Sequence, residues 1–197
     1  MIQARWWRRL ATVALTACAA VHAQATEKAG TLPEQSWATR FKVAELSLQP
    51  PTAMDPRTVQ QIEQLFARFG IAYDEARMDV METLFTPDAD LEILEASAVP
   101  LVRAHGRGVV ATLSNAIVQQ RDQRRHLISN VTINELSEGK AAVLAYGMVT
   151  VAADGVALGA SVIYTASLQR GTDARWRFAH LVIGMDGYNG RKPASRN

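Results

Sequence analysis

The chain has 197 residues, a formal net charge of +2 and a single cysteine, and 48% of its residues are hydrophobic. This length and composition are typical of one globular domain with one core. The small net charge excludes the strongly basic surface of most nucleic-acid-binding proteins, and the lone cysteine excludes an intramolecular disulfide.

Residues 1–25 have the pattern of an export signal. Arg5, Arg8 and Arg9 form a basic start, and residues 10–17 form an apolar stretch too short to span a bilayer as a stable helix. Two processing sites are open. Ala-Gln-Ala at residues 23–25 suits ordinary signal peptidase, whereas Leu-Thr-Ala-Cys at residues 15–18 resembles a bacterial lipobox, which would remove residues 1–17 and lipidate Cys18. We therefore expect a periplasmic or secreted protein, either soluble or held to a membrane only through Cys18.

The next segment, residues 26–54, lacks sustained periodicity and contains Pro50-Pro51, so we expect a linker or arm. The folded domain is predicted over residues 56–188, and residues 189–197 are predicted to be a flexible tail. Asp55 and Pro56 have the residue types of a helix start. Apolar side chains then recur every three or four residues, which predicts one buried helix face: Val59, Ile62, Phe66, Phe69, Tyr73 and Ala76. Gly70 interrupts the pattern and predicts a bend.

Two further helices and a short strand are predicted before residue 121. Asp79 and Glu82 have the spacing of a capping box for a second helix, which Pro87 would end. Residues 91–94 are predicted as a strand, and residues 109–120 as a third helix.

The second half of the chain changes to the composition of β-strands. Residues 126–135, 141–152, 157–169 and 174–185 are rich in β-branched and apolar residues, with turn sequences between them. Short turns between consecutive strands predict an antiparallel meander. The fold class is therefore α+β: a cone-shaped, curved antiparallel sheet covered on one face by three N-terminal helices, with a pocket at its mouth.

Three residues in this plan could carry acid–base chemistry. Tyr73 and Asp74 lie within the first predicted helix, and His126 begins the first strand of the antiparallel run, on its more polar face. A carboxylate that orients an imidazole is the minimum apparatus for moving a proton near neutral pH. From the residues alone, an aspartate such as Asp74 is more often a solvated helix carboxylate or the partner of a nearby arginine, and Tyr73 could equally be a packed core residue.

The order of several separate motifs resembles a known family. These are Tyr73-Asp74, Leu-Phe-Thr-Pro-Asp-Ala at residues 84–89, Arg125-His126 with Asn130, Tyr164, and Trp-Arg-Phe at residues 176–178. Together they are similar to the polyketide-cyclase-like (SnoaL-like) domains of the nuclear transport factor 2-like superfamily, nearest the branch of scytalone dehydratase and lindane dehydrochlorinase. The resemblance covers the whole predicted domain.

The resemblance implies roles for specific residues. His126 would be the general base, Asp74 its partner, and Tyr73 the group that polarises a substrate oxygen. Asn130 would bind substrate, unless it is a turn or bulge residue of its strand. Tyr146, Tyr164 and His180 would line the pocket, with core packing as the alternative for all three and an edge position as a further alternative for His180. The sequence departs from relatives at Tyr164-Thr165-Ala166, where an acidic residue often stands two positions after the aromatic one. This departure argues against roles of the ring-hydroxylase-subunit type and against isomerase-like roles that depend on that acidic residue.

The function expected from the resemblance is proton abstraction from a small, largely apolar molecule, as in a dehydratase, dehydrohalogenase or isomerase. Such a lyase or isomerase needs no cofactor, and the sequence contains no motif for a metal or phosphate site. The alternative is a non-enzymatic small-molecule-binding or envelope-accessory domain. Homodimerisation through the outer sheet face is expected, because domains of this fold often dimerise there.

Overall fold

The domain is an α+β arrangement of three helices on a curved six-stranded sheet. The computed structural model describes residues 54–94 and 100–187. The predictions for the export signal, Cys18, the arm and the tail lie outside those residues. The helices are α1 (Pro56–Asp74), α2 (Met78–Met81) and α3 (Arg107–Val118), and a 3-10 turn (Glu82–Leu84) follows α2. The strands are β1 (Phe85–Leu94), β2 (Pro100–His105), β3 (Gln123–Ser137), β4 (Lys140–Ala152), β5 (Val156–Arg170) and β6 (Trp176–Gly187).

Helix α1 begins as its sequence predicts. The Asp55 carboxylate accepts hydrogen bonds from the backbone N–H groups of Arg57 and Thr58, and Pro56 occupies the first turn. The helix is continuous through Gly70, so the predicted bend there is absent. It ends at Asp74, because Ala76 has a positive φ of 53°.

The prediction for the second helix is wrong at its start. Helix α2 begins after Arg77, and no side-chain hydrogen bond caps it. Asp79 lies inside its first turn, where its carboxylate pairs with the Arg77 guanidinium at 2.6 Å. This ion pair lowers the pKa of Asp79 to about 2. Because Arg77 takes up the Asp79 carboxylate, the capping box with Glu82 does not form.

The sheet has the strand order β2-β1-β6-β5-β4-β3. The three predicted hairpins are confirmed, since β3, β4, β5 and β6 pair antiparallel in sequence order. The sheet is nevertheless mixed, because β1 pairs with β6 in parallel. Strand β2, which was not predicted, pairs antiparallel with β1 and forms an edge. Pro87 lies inside β1, in the stretch between Phe85 and Asp90 where the pairing with β6 is interrupted, so its missing N–H breaks no ladder bond there.

The core lies between the helices and one face of the sheet. Its centre is a set of aromatic rings in edge-on or tilted contact, with centroids 5.2 to 6.3 Å apart: Phe66, Phe69, Phe85, Tyr164 and Phe178. All of these side chains are at least nine-tenths buried. None of the helices in residues 54–94 and 100–187 has the length and apolarity that a membrane crossing requires.

Two irregularities change which side chains face the helices. Asn130 has a positive φ of 53°, and the β3–β4 register shifts between Ser129 and Thr132. Without this irregularity, two residues seven positions apart on a strand would face opposite sides. Because of it, His126 faces inward and Ile133 also faces the core. A second shift, in the β5–β6 register between Ser167 and Leu168, places His180 on the opposite face of the sheet from Phe178. A bulge moves every later side chain by one position, which the alternation in the sequence does not reveal.

Candidate active site

Asp74 and His126 meet where the end of α1 crosses β3. Oδ1 of Asp74 lies 2.5 Å from Nδ1 of His126, and Oδ2 accepts the backbone N–H of His126 at 2.8 Å. The Asp74 side chain is 6% exposed and that of His126 is 11% exposed. A carboxylate only accepts hydrogen bonds when ionised, so Nδ1 carries the proton and Nε2 of the neutral ring keeps its lone pair.

A glycine permits this close approach of helix and strand. A Cβ atom built on Gly70 would lie 3.1 Å from Cβ of His126 and 3.5 Å from Cδ1 of Ile128. A larger residue would press against the strand at the point where the His126 ring is held. Gly70 therefore sets the distance between α1 and β3.

Tyr73 lies beside His126, with ring centroids 5.0 Å apart in an edge-on contact. Its hydroxyl accepts a hydrogen bond from Nε2 of Gln120 at 3.1 Å, which leaves its own O–H free to donate. Burial raises the pKa of Tyr73 above its ordinary value, while the positive charge of Arg124 and the Gln120 hydrogen bond offset part of the rise. Tyr73 is thus a protonated donor at neutral pH.

Tyr164 projects from β5 toward the same place. Its side chain packs edge-on against Phe66 and Phe69 and is 1% exposed. Gly147 on β4 provides room for the ring, because a Cβ there would lie 2.6 Å from Cε2 of Tyr164. Burial, with a smaller contribution from the negative charge of Asp74, raises the pKa of Tyr164 well above its ordinary value.

A cavity of about 800 Å³ opens between the helices and the sheet, and it contains His126, Tyr73 and Tyr164 in its wall. This volume suits a small organic molecule. Asp74 is not part of the wall, so it supports His126 from behind. Much of the rest is apolar: Ile93, Leu113, Val149, Val162, Ile183 and Met185. The cavity therefore combines an apolar body with one imidazole and two phenol groups.

Three residues predicted to bind substrate do not line this cavity. Asn130 is exposed and is the bulge residue of β3. Tyr146 is 44% exposed and shares a cross-strand row with Ser129 on the sheet face away from the helices. His180 lies on that outer face, with its Nε2 3.4 Å from Oε1 of Glu92. The two strand irregularities account for Asn130 and His180, and Tyr146 follows from the alternation of β4.

Other cavity residues were missed by the sequence analysis. Gln120, two residues beyond the end of α3, donates a hydrogen bond to the Tyr73 hydroxyl. Arg124 and Asp122 also line the cavity, with Nε of Arg124 donating to Oδ1 of Asp122 at 3.0 Å. The cluster of arginines at residues 121–125 suggests a solvated helix end, but Arg124 lies two residues before His126 on a strand. That spacing is the one signal in the sequence for its inward direction.

The described part of the chain contains no group of three or more His, Cys, Asp or Glu side chains arranged to hold a metal ion. What the arrangement offers instead is proton chemistry. The oriented imidazole can accept a proton at Nε2, and two neutral phenols can donate hydrogen bonds to an oxygen that gains charge.

Comparison with known protein families gives one match that spans most of the domain. A family model described as a SnoaL-like domain matches residues 57–182, which is more than half of the chain. No curated protein matches the chain.

Solved structures with the same fold include three bacterial proteins that cover similar parts of this chain. ActVI-ORFA from Streptomyces coelicolor is 20% identical, with a TM-score of 0.57, covering 66% of this chain and 98% of its own. A candidate scytalone dehydratase from Novosphingobium aromaticivorans is 19% identical, with a TM-score of 0.58 and coverages of 72% and 95%. A protein from Catenulispora acidiphila in complex with S-DNPA is 25% identical, with a TM-score of 0.57 and coverages of 67% and 96%.

The close approach at Gly70 gives a testable prediction. A Gly→Ala change inside a helix normally stabilises a protein by about 1 kcal/mol. At residue 70 we expect this gain to be lost, because the new methyl presses on His126 and loosens its contact with Asp74. Denaturant unfolding measures the stability, and nitrogen-15 spectra of the His126 ring report its tautomer, which should become mixed in Gly70→Ala.

Gly155→Ala is the matched control, because nothing lies within 4 Å of a Cβ built there. It should leave the His126 spectrum unchanged. A Gly70→Ala protein that is more stable than wild type and keeps a single His126 tautomer would show that the contact is not limiting.

Proposed function

Because the chain belongs to the SnoaL-like domain family, we propose that its cavity binds a small, largely apolar molecule and that His126 removes a proton from it. The observation that carries this proposal is the contact between Asp74 and His126 at the cavity wall. A buried carboxylate that holds an imidazole in one tautomer, with the free nitrogen toward a cavity, has the geometry of a general base and its orienting partner.

In the proposed mechanism, Nε2 of His126 takes a proton from a carbon next to an activating group. The electron pair of that C–H bond forms a double bond as hydroxide or halide leaves the neighbouring carbon, or it is reprotonated elsewhere to give an isomer. Asp74 stabilises the imidazolium that forms. Tyr73 donates a hydrogen bond to the oxygen or halide that gains charge, and Tyr164 is the second donor.

The reaction class is therefore that of a lyase, by dehydration or dehydrohalogenation, or of an isomerase. These reactions require only an acid and a base, so the proposal includes no cofactor. The rival function, a non-enzymatic small-molecule-binding or envelope-accessory domain, needs the cavity but not the paired Asp74 and His126. If Asp74 and His126 lay beyond hydrogen-bond reach of each other, the rival function would be favoured. The 2.5 Å contact between them favours the enzyme.

Replacement of the dyad residues tests the mechanism. A positioned general base contributes roughly 10²–10⁴-fold in rate, so His126→Ala and Asp74→Asn should each lower turnover by about that factor. A thermal-shift screen of small apolar carbonyl, hydroxyl and halogen compounds first identifies a ligand, which raises the unfolding temperature of the folded protein. Steady-state turnover of that compound by wild type and variants is then compared.

The chain offers a matched control in a second His–Asp pair. Nδ1 of His105 lies 2.8 Å from Oδ1 of Asp90, both side chains are exposed, and neither residue lines the cavity. His105→Ala and Asp90→Asn should keep wild-type turnover. Folded His126→Ala and Asp74→Asn proteins with full activity would make the dyad structural and the mechanism wrong.

Export is proposed from the pattern of residues 1–25. Expression in a bacterial host followed by mass spectrometry of the mature protein should find its N-terminus at Thr26. The alternative product would begin at a diacylglyceryl-modified Cys18. A mature protein that retains Met1 would contradict both forms of the proposal.

A homodimer through the outer sheet face is proposed from an exposed apolar patch. Leu127 and Met148 are cross-strand partners on that face, Tyr146 lies in the next row, and all three are roughly half exposed. Analytical ultracentrifugation should show a dimer for wild type and a monomer for Met148→Glu, since a charge at the centre of the patch opposes burial. Val118→Glu, at the exposed end of α3, is the control and should remain dimeric; a monomeric wild type would refute the proposal.

A further inference from the structure

Arg124 lies in the wall of the cavity on the same strand as the proposed base. It precedes His126 by two residues on β3, so both side chains face inward, and both line the cavity. Two residues of a strand span about 7 Å, so the guanidinium lies within reach of one end of a molecule whose other end contacts His126.

The Arg124 guanidinium is hydrogen-bonded through one of its nitrogens and leaves the other two available. Its Nε donates to Asp122 at 3.0 Å, and its side chain is about one-third exposed. Within residues 54–94 and 100–187, neither of its two terminal nitrogens has a hydrogen-bond partner. A guanidinium fixed through Nε presents the remaining pair of N–H groups as a fork, which matches the two oxygens of a carboxylate.

The polarity of the cavity wall is concentrated around this group. The charged residues in the wall are Arg121, Asp122 and Arg124, so the positive charges outnumber the negative one. Gln119 and Gln120 add amide groups next to them in the chain, and much of the remaining wall is apolar. A molecule that fits both regions has an apolar body and an anionic group near one end.

We propose that the cavity selects substrates that carry a carboxylate, and that Arg124 is the residue that recognises it. Asp122 positions Arg124 rather than binding substrate itself. The inference rests on the proposed function in one respect: it places the carboxylate at Arg124 and the carbon that loses its proton at His126, two residues whose backbones are about 7 Å apart along the strand. The recognition itself does not require catalysis.

The test is a comparison of two probes that differ in charge and share the same rings, 2-naphthoate and 2-naphthamide, by isothermal titration calorimetry. A charge-assisted hydrogen-bond pair contributes enough that wild type should bind 2-naphthoate at least about tenfold more tightly. Arg124→Gln should bind the two probes equally. Arg124→Lys should keep part of the preference, because it keeps the charge but loses the fork.

Two controls separate recognition from folding and from catalysis. Arg103→Gln removes an arginine on the outer face, paired with Glu92 at 3.5 Å, and should keep the wild-type preference. His126→Ala should also keep it. A wild-type protein that prefers 2-naphthoate but turns over no compound would refute the proposed mechanism and leave this inference intact. In wild type, but not in Arg124→Gln, raising the salt concentration should weaken binding of 2-naphthoate; binding of 2-naphthamide should not change in either protein.

Three results would overturn the inference. These are equal affinities of wild type for the two probes, binding of neither probe, and a preference for 2-naphthoate that survives in Arg124→Gln.

Discussion

The double hydrogen bond from His126 to the Asp74 carboxylate joins the end of α1 to β3, and the site depends on it. Asp74 is the last residue of α1, where the helix dipole disfavours a negative charge by roughly 0.3–1 kcal/mol. Burial disfavours that charge further, and the backbone N–H and ring N–H of His126 compensate by satisfying both oxygens. Helix stability does not account for an aspartate at this position, whereas an oriented imidazole does.

The same contact limits the size of the side chains where α1 and β3 meet. The Asp74 carboxylate can reach β3 only if the helix and the strand lie very close together. The glycine opposite the histidine makes this close approach possible. Gly147 has a comparable role on the sheet, where its missing side chain makes room for the Tyr164 ring. Neither glycine contributes side-chain packing. Their small size allows the polar groups of His126 and Tyr164 to reach the cavity from positions that are otherwise part of the core.

The cavity is asymmetric for a reason that lies in the strands. Inward-facing positions of β4, β5 and β6 carry aliphatic side chains that extend the core into the cavity, whereas the start of β3 carries Arg124 and His126. Under the proposed function, the wall as a whole orients a ligand with its polar end toward β3. Tyr73 and Gln120 close this polar side, since the amide donates to the phenol and leaves the phenolic hydrogen free.

The sequence by itself determined what local periodicity and turn chemistry can encode. The cap at Asp55, the buried face of α1 and the three hairpins of β3 to β6 all follow from residues close in the chain. The α+β class and the family follow from their order. The identity of the dyad came from a resemblance in motif order, since 52 residues separate Asp74 from His126 and no local rule connects them. Only the tertiary structure decided the parallel pairing of β1 with β6, the edge strand β2, and the inward direction of Arg124. It also showed that Asn130 and His180 do not line the cavity. The physical reason is that pairing between distant strands leaves no periodic trace in the sequence, and that one bulged residue reverses the facing of all that follow it.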